Sequence, residues 1–103
     1  MVHRLVVSYG QPEDPAVFDD CYRGTHAPLA LAQPGLVRFT FGHARSLDPR
    51  QTGPYLVAEL DFDSEQAMGQ SMSSAEGRAA GSDIANFATG GASFVHFDVQ
   101  QAS

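Results

Sequence analysis

The sequence predicts an α+β fold of the ferredoxin-like class, βαββαβ, with one antiparallel sheet carrying its helices on a single face. Three observations predict it. Four short stretches rich in β-branched and aromatic residues read as strands, at 2–9, 36–44, 55–62 and 93–99. Capped helical stretches follow the first and third of them. Apolar alternation along the strands marks one face for burial beneath those helices. At 103 residues the chain suits one domain, spanning 1–103, with a core of its own.

The elements follow in order. VHRLVVSY is the first strand. Asp14 and Pro15 open a helix, the carboxylate accepting from free amides and the proline standing where its missing N–H costs nothing. Phe18, Tyr22 and His26 recur every four residues, so they share a helix face. Pro28 disfavours helical geometry at Ala27, and Gly24 weakens the preceding turn, so the helix is expected to end there. A further short turn over 29–32 is compatible with the sequence, and Pro34-Gly35 makes a reversal. LVRFTFGHA is the second strand, and the proline-containing stretch 46–54 is a loop. After the third strand, Asp63 with Gln66 reads as the cap of a short helix over 63–72. Ser73 with Glu76 caps a second stretch over 75–88. Gly90-Gly91 stops it, and SFVHFDV is the last strand.

Composition narrows the function. Six basic against twelve acidic residues, with no lysine, disfavour nucleic acid as a partner. No apolar run is long enough to cross a bilayer, and the N-terminus has no secretory pattern, so a cytoplasmic location is expected. Cys21 is the only cysteine, which leaves no internal disulfide; beside Asp19 and Asp20 it reads as a small hydrophobe. Histidines at 3, 26, 43 and 96 lack metal-ligand spacing, so no metal site is expected.

One strand register holds Leu5, Val7, Leu56, Ala58, Leu60, Phe62, Val95, Phe97 and Val99, and is expected beneath the helices. The other holds Val6, Tyr55, Val57, Glu59, Phe94, His96 and Asp98. Apolar residues on that open face are expected to be covered by a second copy, giving a homodimer. His96 and Glu59 are expected to meet on that side.

The stretch Tyr22-Arg-Gly-Thr-His26-Ala-Pro28-Leu29, then Leu31-Ala-Gln-Pro34-Gly35-Leu36, resembles the EthD family. Ser74-Ala-Glu76-Gly77, continuing through Asp83-Ile-Ala-Asn-Phe87, extends the likeness along nearly the whole chain. The resemblance implies a dimeric α+β barrel. Its wider superfamily includes cofactor-free monooxygenases, isomerases, cyclases, dehydratases and haem enzymes, so fold alone selects no reaction.

His26 is the leading candidate. A histidine at a helix end titrates near neutrality, and on the Tyr22 and Phe18 face it would look toward the sheet as a general acid or base. The alternative is a helix-capping role. Asp83, between Ala80 and Phe87, needs a partner, which is His26, Arg38 or backbone amides. Tyr22 and Tyr9 offer hydroxyls to a ligand oxygen, and Phe18, Phe39 and Phe87 complete an apolar binding surface. The expected activity is cofactor-free isomerisation, dehydration or cyclisation of a hydrophobic oxygenated metabolite, in a catabolic setting. The rivals are a non-catalytic binding protein and, behind it, a haem protein with one histidine as axial ligand.

Overall fold

The computed structural model describes residues 1–103. Its strands are β1 (His3–Tyr9), β2 (Arg38–His43), β3 (Leu56–Phe62) and β4 (Ala92–Asp98). They form one antiparallel sheet in the order β2-β3-β1-β4. The helices are α1 (Pro15–Cys21), α2 (Ala27–Leu31), α3 (Glu65–Ser73) and α4 (Ala75–Phe87). The order of elements gives the ferredoxin-like α+β fold that the pattern predicts.

β1 and β3 form because their alternation lets one face be buried. Leu5, Val7, Tyr9, Leu56, Ala58, Leu60 and Phe62 pack with Phe18, Tyr22, Met68 and Phe87 of the helical layer. Burying such a side chain contributes roughly 1.5–3 kcal/mol, so this layer dominates the favourable side of folding. Asp14 caps α1 as its chemistry requires, accepting from Ala16 N and Val17 N at 3.1 and 3.3 Å.

The end of that helix differs from expectation. The chain does not stop at Ala27; it stays helical through a π-helical segment, Tyr22–His26, directly into α2. Pro28 has no N–H to give to the Gly24 carbonyl, and its ring crowds that position. The backbone widens instead, with Ala27 N–H donating to Tyr22 O across five residues.

The caps of the later helices lie one residue beyond those expected. Ser64, not Asp63, caps α3 by accepting from Ala67 N at 3.0 Å. Ser74, not Ser73, caps α4 by accepting from Gly77 N at 3.0 Å. Ser74 thus ends one helix and begins the next, and α3 and α4 touch at this junction.

β4 runs in the opposite register from that expected. Val7 pairs with Phe94, Leu5 with His96 and His3 with Asp98, so Phe94, His96 and Asp98 face the helical side. Val95 and Phe97 face the open side, with Val6 and Val57. The segment carries apolar residues in both registers, and β4 is an edge strand exposed on both faces. Pairing with β1, not burial, sets its orientation. His96 accordingly meets His3, ring nitrogen to ring nitrogen at 2.9 Å, and not Glu59. The His3 Nδ1 is 2.7 Å from an Asp98 oxygen. Glu59 stays on the open face, where Arg4 forms a two-pronged pair with Asp61 at 2.8 and 3.1 Å. Tyr55 also leaves its expected place; its hydroxyl donates to Asp19 of α1 at 2.9 Å.

Candidate active site

The π-helical segment presents Tyr22 and His26 to the core side of the sheet, and both are buried. From the other helical unit, α4 brings up Asp83, Ile84 and Phe87. The His26 ring centroid lies 4.8 Å from that of Phe87 and 5.2 Å from that of Tyr22. His26 Nδ1 is 3.1 Å from Asp83 Oδ2, and the other Asp83 oxygen accepts from Asn86 Nδ2, also at 3.1 Å. A carboxylate only accepts, so Nδ1 carries the proton, and the neutral ring keeps its lone pair at Nε2. Nε2 makes no hydrogen bond within the protein, and it is not among the sealed polar atoms.

His26 lines a half-open hollow between the helices and the sheet. Twelve of its sixteen lining residues are hydrophobic, and none is arginine or lysine. Tyr9, Tyr22, His26 and Phe39 are among them. Asp83, Phe18 and Phe87 are not: Asp83 stands behind His26, while Phe18 and Phe87 are packed into the aromatic cluster that supports it. These two phenylalanines shape the site from outside rather than touching its contents. The hollow also takes in Gln33, Met72, Gly77 and Phe94, which the sequence reading left out. The small residue Gly81 on α4 is the signal in the sequence that a gap opens there, since a Cβ at that position would meet nothing within 4 Å.

Burial depresses the His26 pKa below its ordinary 6.5, against the hydrogen bond and charge of Asp83, which act to raise it. The imidazole is therefore neutral at pH 7, the form of a general base. Its stability contribution is complete above pH 6.5 and is lost as pH falls through the lower folded value, because the unfolded chain takes up the proton first. The stability advantage of the native protein over a His26→Gln variant is expected to shrink between pH 7 and pH 5, by at most about 1.4 kcal/mol per pH unit. Urea melts of both proteins at the two pH values check this; an advantage that grows on acidification contradicts it.

The tyrosines have a different balance. Burial pushes the Tyr9 hydroxyl up to about 12 and raises that of Tyr22 as well, so both stay protonated donors. The two hydroxyls are near enough to influence each other's acidity, yet no hydrogen bond of sound geometry joins them. The Tyr22 hydroxyl is buried without a partner. An unpaired buried hydroxyl costs on the order of 1–3 kcal/mol. Tyr22→Phe is accordingly expected to leave thermal stability unchanged or raise it by about 1 kcal/mol, while weakening the binding of any oxygen-bearing ligand. Calorimetry together with ligand titration reads the two effects separately.

No group of three or more histidine, cysteine, aspartate or glutamate side chains is arranged to hold a metal.

A family model described as EthD domain matches residues 10–91. The chain belongs to the EthD family. An uncharacterised 11.0 kDa protein encoded in the thcB–thcC intergenic region of Rhodococcus erythropolis is 39% identical over 97 residues, 94% of each chain. The crystal structure of an ethyl tert-butyl ether d (EthD) family protein from Bacillus halodurans C-125 superposes with a TM-score of 0.89 at 32% identity. That match covers 97% of this EthD chain and all of the other. Two more distant structures share the fold. A dimeric ferredoxin-like protein of unknown function from Thermobifida fusca has a TM-score of 0.72 at 19% identity, over 96% and 92% of the two chains. SnoaB, a cofactor-independent oxygenase from Streptomyces nogalater, has a TM-score of 0.65 at 18% identity, over 98% and 94%. No helix of this EthD protein is long and apolar enough to cross a membrane.

Proposed function

We propose that this EthD protein is a cofactor-free acid–base catalyst acting on a small hydrophobic metabolite that carries oxygen. The observation that carries the reading is His26: a buried imidazole whose Nδ1 is engaged by Asp83 while Nε2 is left free beside an apolar hollow. In this role Nε2 takes a proton from a C–H or O–H adjacent to the ligand's oxygen function. The bonding pair moves toward that oxygen, and a Tyr22 or Tyr9 O–H stabilises the charge that develops there. Asp83 is a positioning residue: it fixes the tautomer and steadies the imidazolium formed. Return of the proton from Nε2 to a different atom completes an isomerisation. Departure of a neighbouring hydroxyl, which takes that proton and leaves as water, gives dehydration. Attack of the carbanion on a second carbonyl carbon of the same molecule, whose oxygen takes that proton as its π bond breaks, gives cyclisation. Cofactor-independent chemistry in SnoaB is compatible with this assignment.

The protein is proposed to work in the cytoplasm, in catabolism, as a homodimer. Val95 and Phe97 are 57% and 46% exposed on the open sheet face, next to Val6 and Val57, and an apolar strip of this kind is covered by a second copy in an isologous contact. The dimeric ferredoxin-like protein from Thermobifida fusca lends support. Val95→Asp with Phe97→Asp is expected to convert a dimer into a monomer in multi-angle light scattering at micromolar concentration. A native protein that is already monomeric there contradicts the dimer.

Native mass spectrometry of freshly purified protein, followed by incubation of the retained compound with fresh enzyme, tests the catalytic reading. Conversion of that compound at a rate lost in His26→Gln supports it. Unchanged release of the compound from both proteins replaces it with the non-catalytic binding role.

A further inference from the structure

The hollow beside His26 is not closed at its far end. It shares Met72, Gly81, Ile84 and Phe94 with a groove between α4 and β4 that also takes in Ala85 and Ala88. We propose that hollow and groove form one site for an uncharged, elongated hydrophobic molecule. Its oxygen-bearing end lies against Tyr22 and His26, and its apolar tail lies along Phe94, Met72 and Ala88. This inference rests on the proposed head-group role of His26 and adds the ligand's charge, shape and tail site.

Five observations carry it. The hollow alone offers about 70 Å3 of free space and the groove about 470 Å3, so anything beyond a few heavy atoms extends into the groove. Six of the seven groove residues are hydrophobic. Phe94 and Met72 are 52% and 44% exposed, although Phe94 stands on the helical side of the sheet, opposite Val7. Gly81, Ala85 and Ala88 lie on one face of α4 and its end, and their small size leaves the trough between helix and strand. At the inner end, the sealed and unpartnered Tyr22 hydroxyl marks where the ligand's polar group belongs.

Charge narrows the class. Neither cavity is lined by arginine or lysine, Asp83 stands directly behind His26, and the chain carries a net charge of −6. A carboxylate or phosphate would be desolvated here without a counter-charge. A ketone, aldehyde or ester accepts from a tyrosine O–H, and a phenol can in addition donate its own O–H to Nε2.

The test uses the full chain with 2-butanone, 2-hexanone and 2-octanone, and with octanoate as the charged control, followed by NMR titration of backbone amides. Affinity is expected to rise about threefold to fourfold per added methylene. Octanoate is expected to bind at least about tenfold more weakly than 2-octanone. Shifts at Ala85 and Ala88, which line the groove and not the hollow, are expected only with the longer ketones. Ala85→Phe, which fills the trough outside the hollow, is expected to remove the gain with length and leave 2-butanone binding unchanged; Phe94→Asp is expected to remove that gain as well.

Equal affinity for the three ketones, or a full gain with length in both variants, overturns the tail site. If Tyr22→Phe leaves 2-butanone affinity unchanged while the gain with length persists, the head placement fails and the tail site stands. If Phe94→Asp turns a dimer into a monomer in light scattering and leaves the gain with length intact, the groove belongs to a second copy and the proposal is overturned.

Discussion

Replacing His26 with glutamine is expected to lower turnover of the retained metabolite by about 10²- to 10⁴-fold, the usual contribution of a positioned general base. Glutamine keeps a polar group of similar length that can still bond to Asp83, so the fold is retained while the titrating lone pair at Nε2 is lost. Binding of the compound changes much less than kcat, because Tyr22 and the apolar walls remain. Asp83→Asn is expected to act through the ring. An amide in place of the carboxylate no longer selects the Nδ1–H tautomer, and its N–H competes as a donor toward Nδ1. The activity loss in Asp83→Asn should be accompanied by a displaced pH profile, whereas a merely structural role for Asp83 would lower stability and leave the profile in place. Steady-state kinetics from pH 5 to 8 on the native protein and both variants checks this set.

Gly77→Ala is expected to be strongly destabilising for so conservative a substitution, costing about 3 kcal/mol or more. A Cβ at position 77 would come 2.1 Å from the Ser71 carbonyl oxygen and 2.7 Å from Met72 Cα, both backbone atoms that cannot swing aside. Relief requires α3 and α4 to move apart at their shared Ser74 cap. For a domain of this size that corresponds to a fall in melting temperature of roughly 10–20 °C. Since Gly77 also lines the hollow, the separation would distort the ligand site. Gly81→Ala is the internal control. A Cβ there meets nothing within 4 Å, and alanine in an exposed helix position gains up to about 1 kcal/mol over glycine. Thermal melts that rank the two variants equally would show that the junction is not held by the close approach at Gly77.

Much of this architecture is legible in the residues. The alternation in β1 and β3 is clear, because one face of each carries the apolar core residues while the other is only partly covered apart from Asp61 under Arg4. Asp14-Pro15 is a helix start with a single chemical meaning. β4 is different in kind. SFVHFDV has apolar residues in both registers, and an edge strand that is exposed on both faces has no burial to break the tie. Only the pairing of Val7 with Phe94 decides it, and pairing is a long-range property. Pro28 misled for a related reason. The local rule says that a helix ends before proline, but the chain absorbed the missing hydrogen bond by widening into a π turn, which keeps Tyr22 and His26 together on the inner side.

The site was partly legible. His26 stood out by its setting, and Asp83 by being an acid on an otherwise apolar helix face; that they meet across 57 positions is a fact of the fold. Phe18 and Phe87 looked like pocket walls because aromatic residues on an inner face line pockets and fill cores equally well. Gln33, Met72 and Phe94 carried no such marker, since their place depends on the gap beside Gly81 of α4 and on the register of β4.

The most direct measurement of the account's central claim is an NMR titration of the His26 ring with selective 15N labelling, with and without 2-hexanone. The account predicts a neutral ring protonated at Nδ1, titrating below 6.5, with Nε2 shifting when the ketone is added. A proton found at Nε2, or a ring that titrates above 6.5 and ignores the ketone, would contradict it.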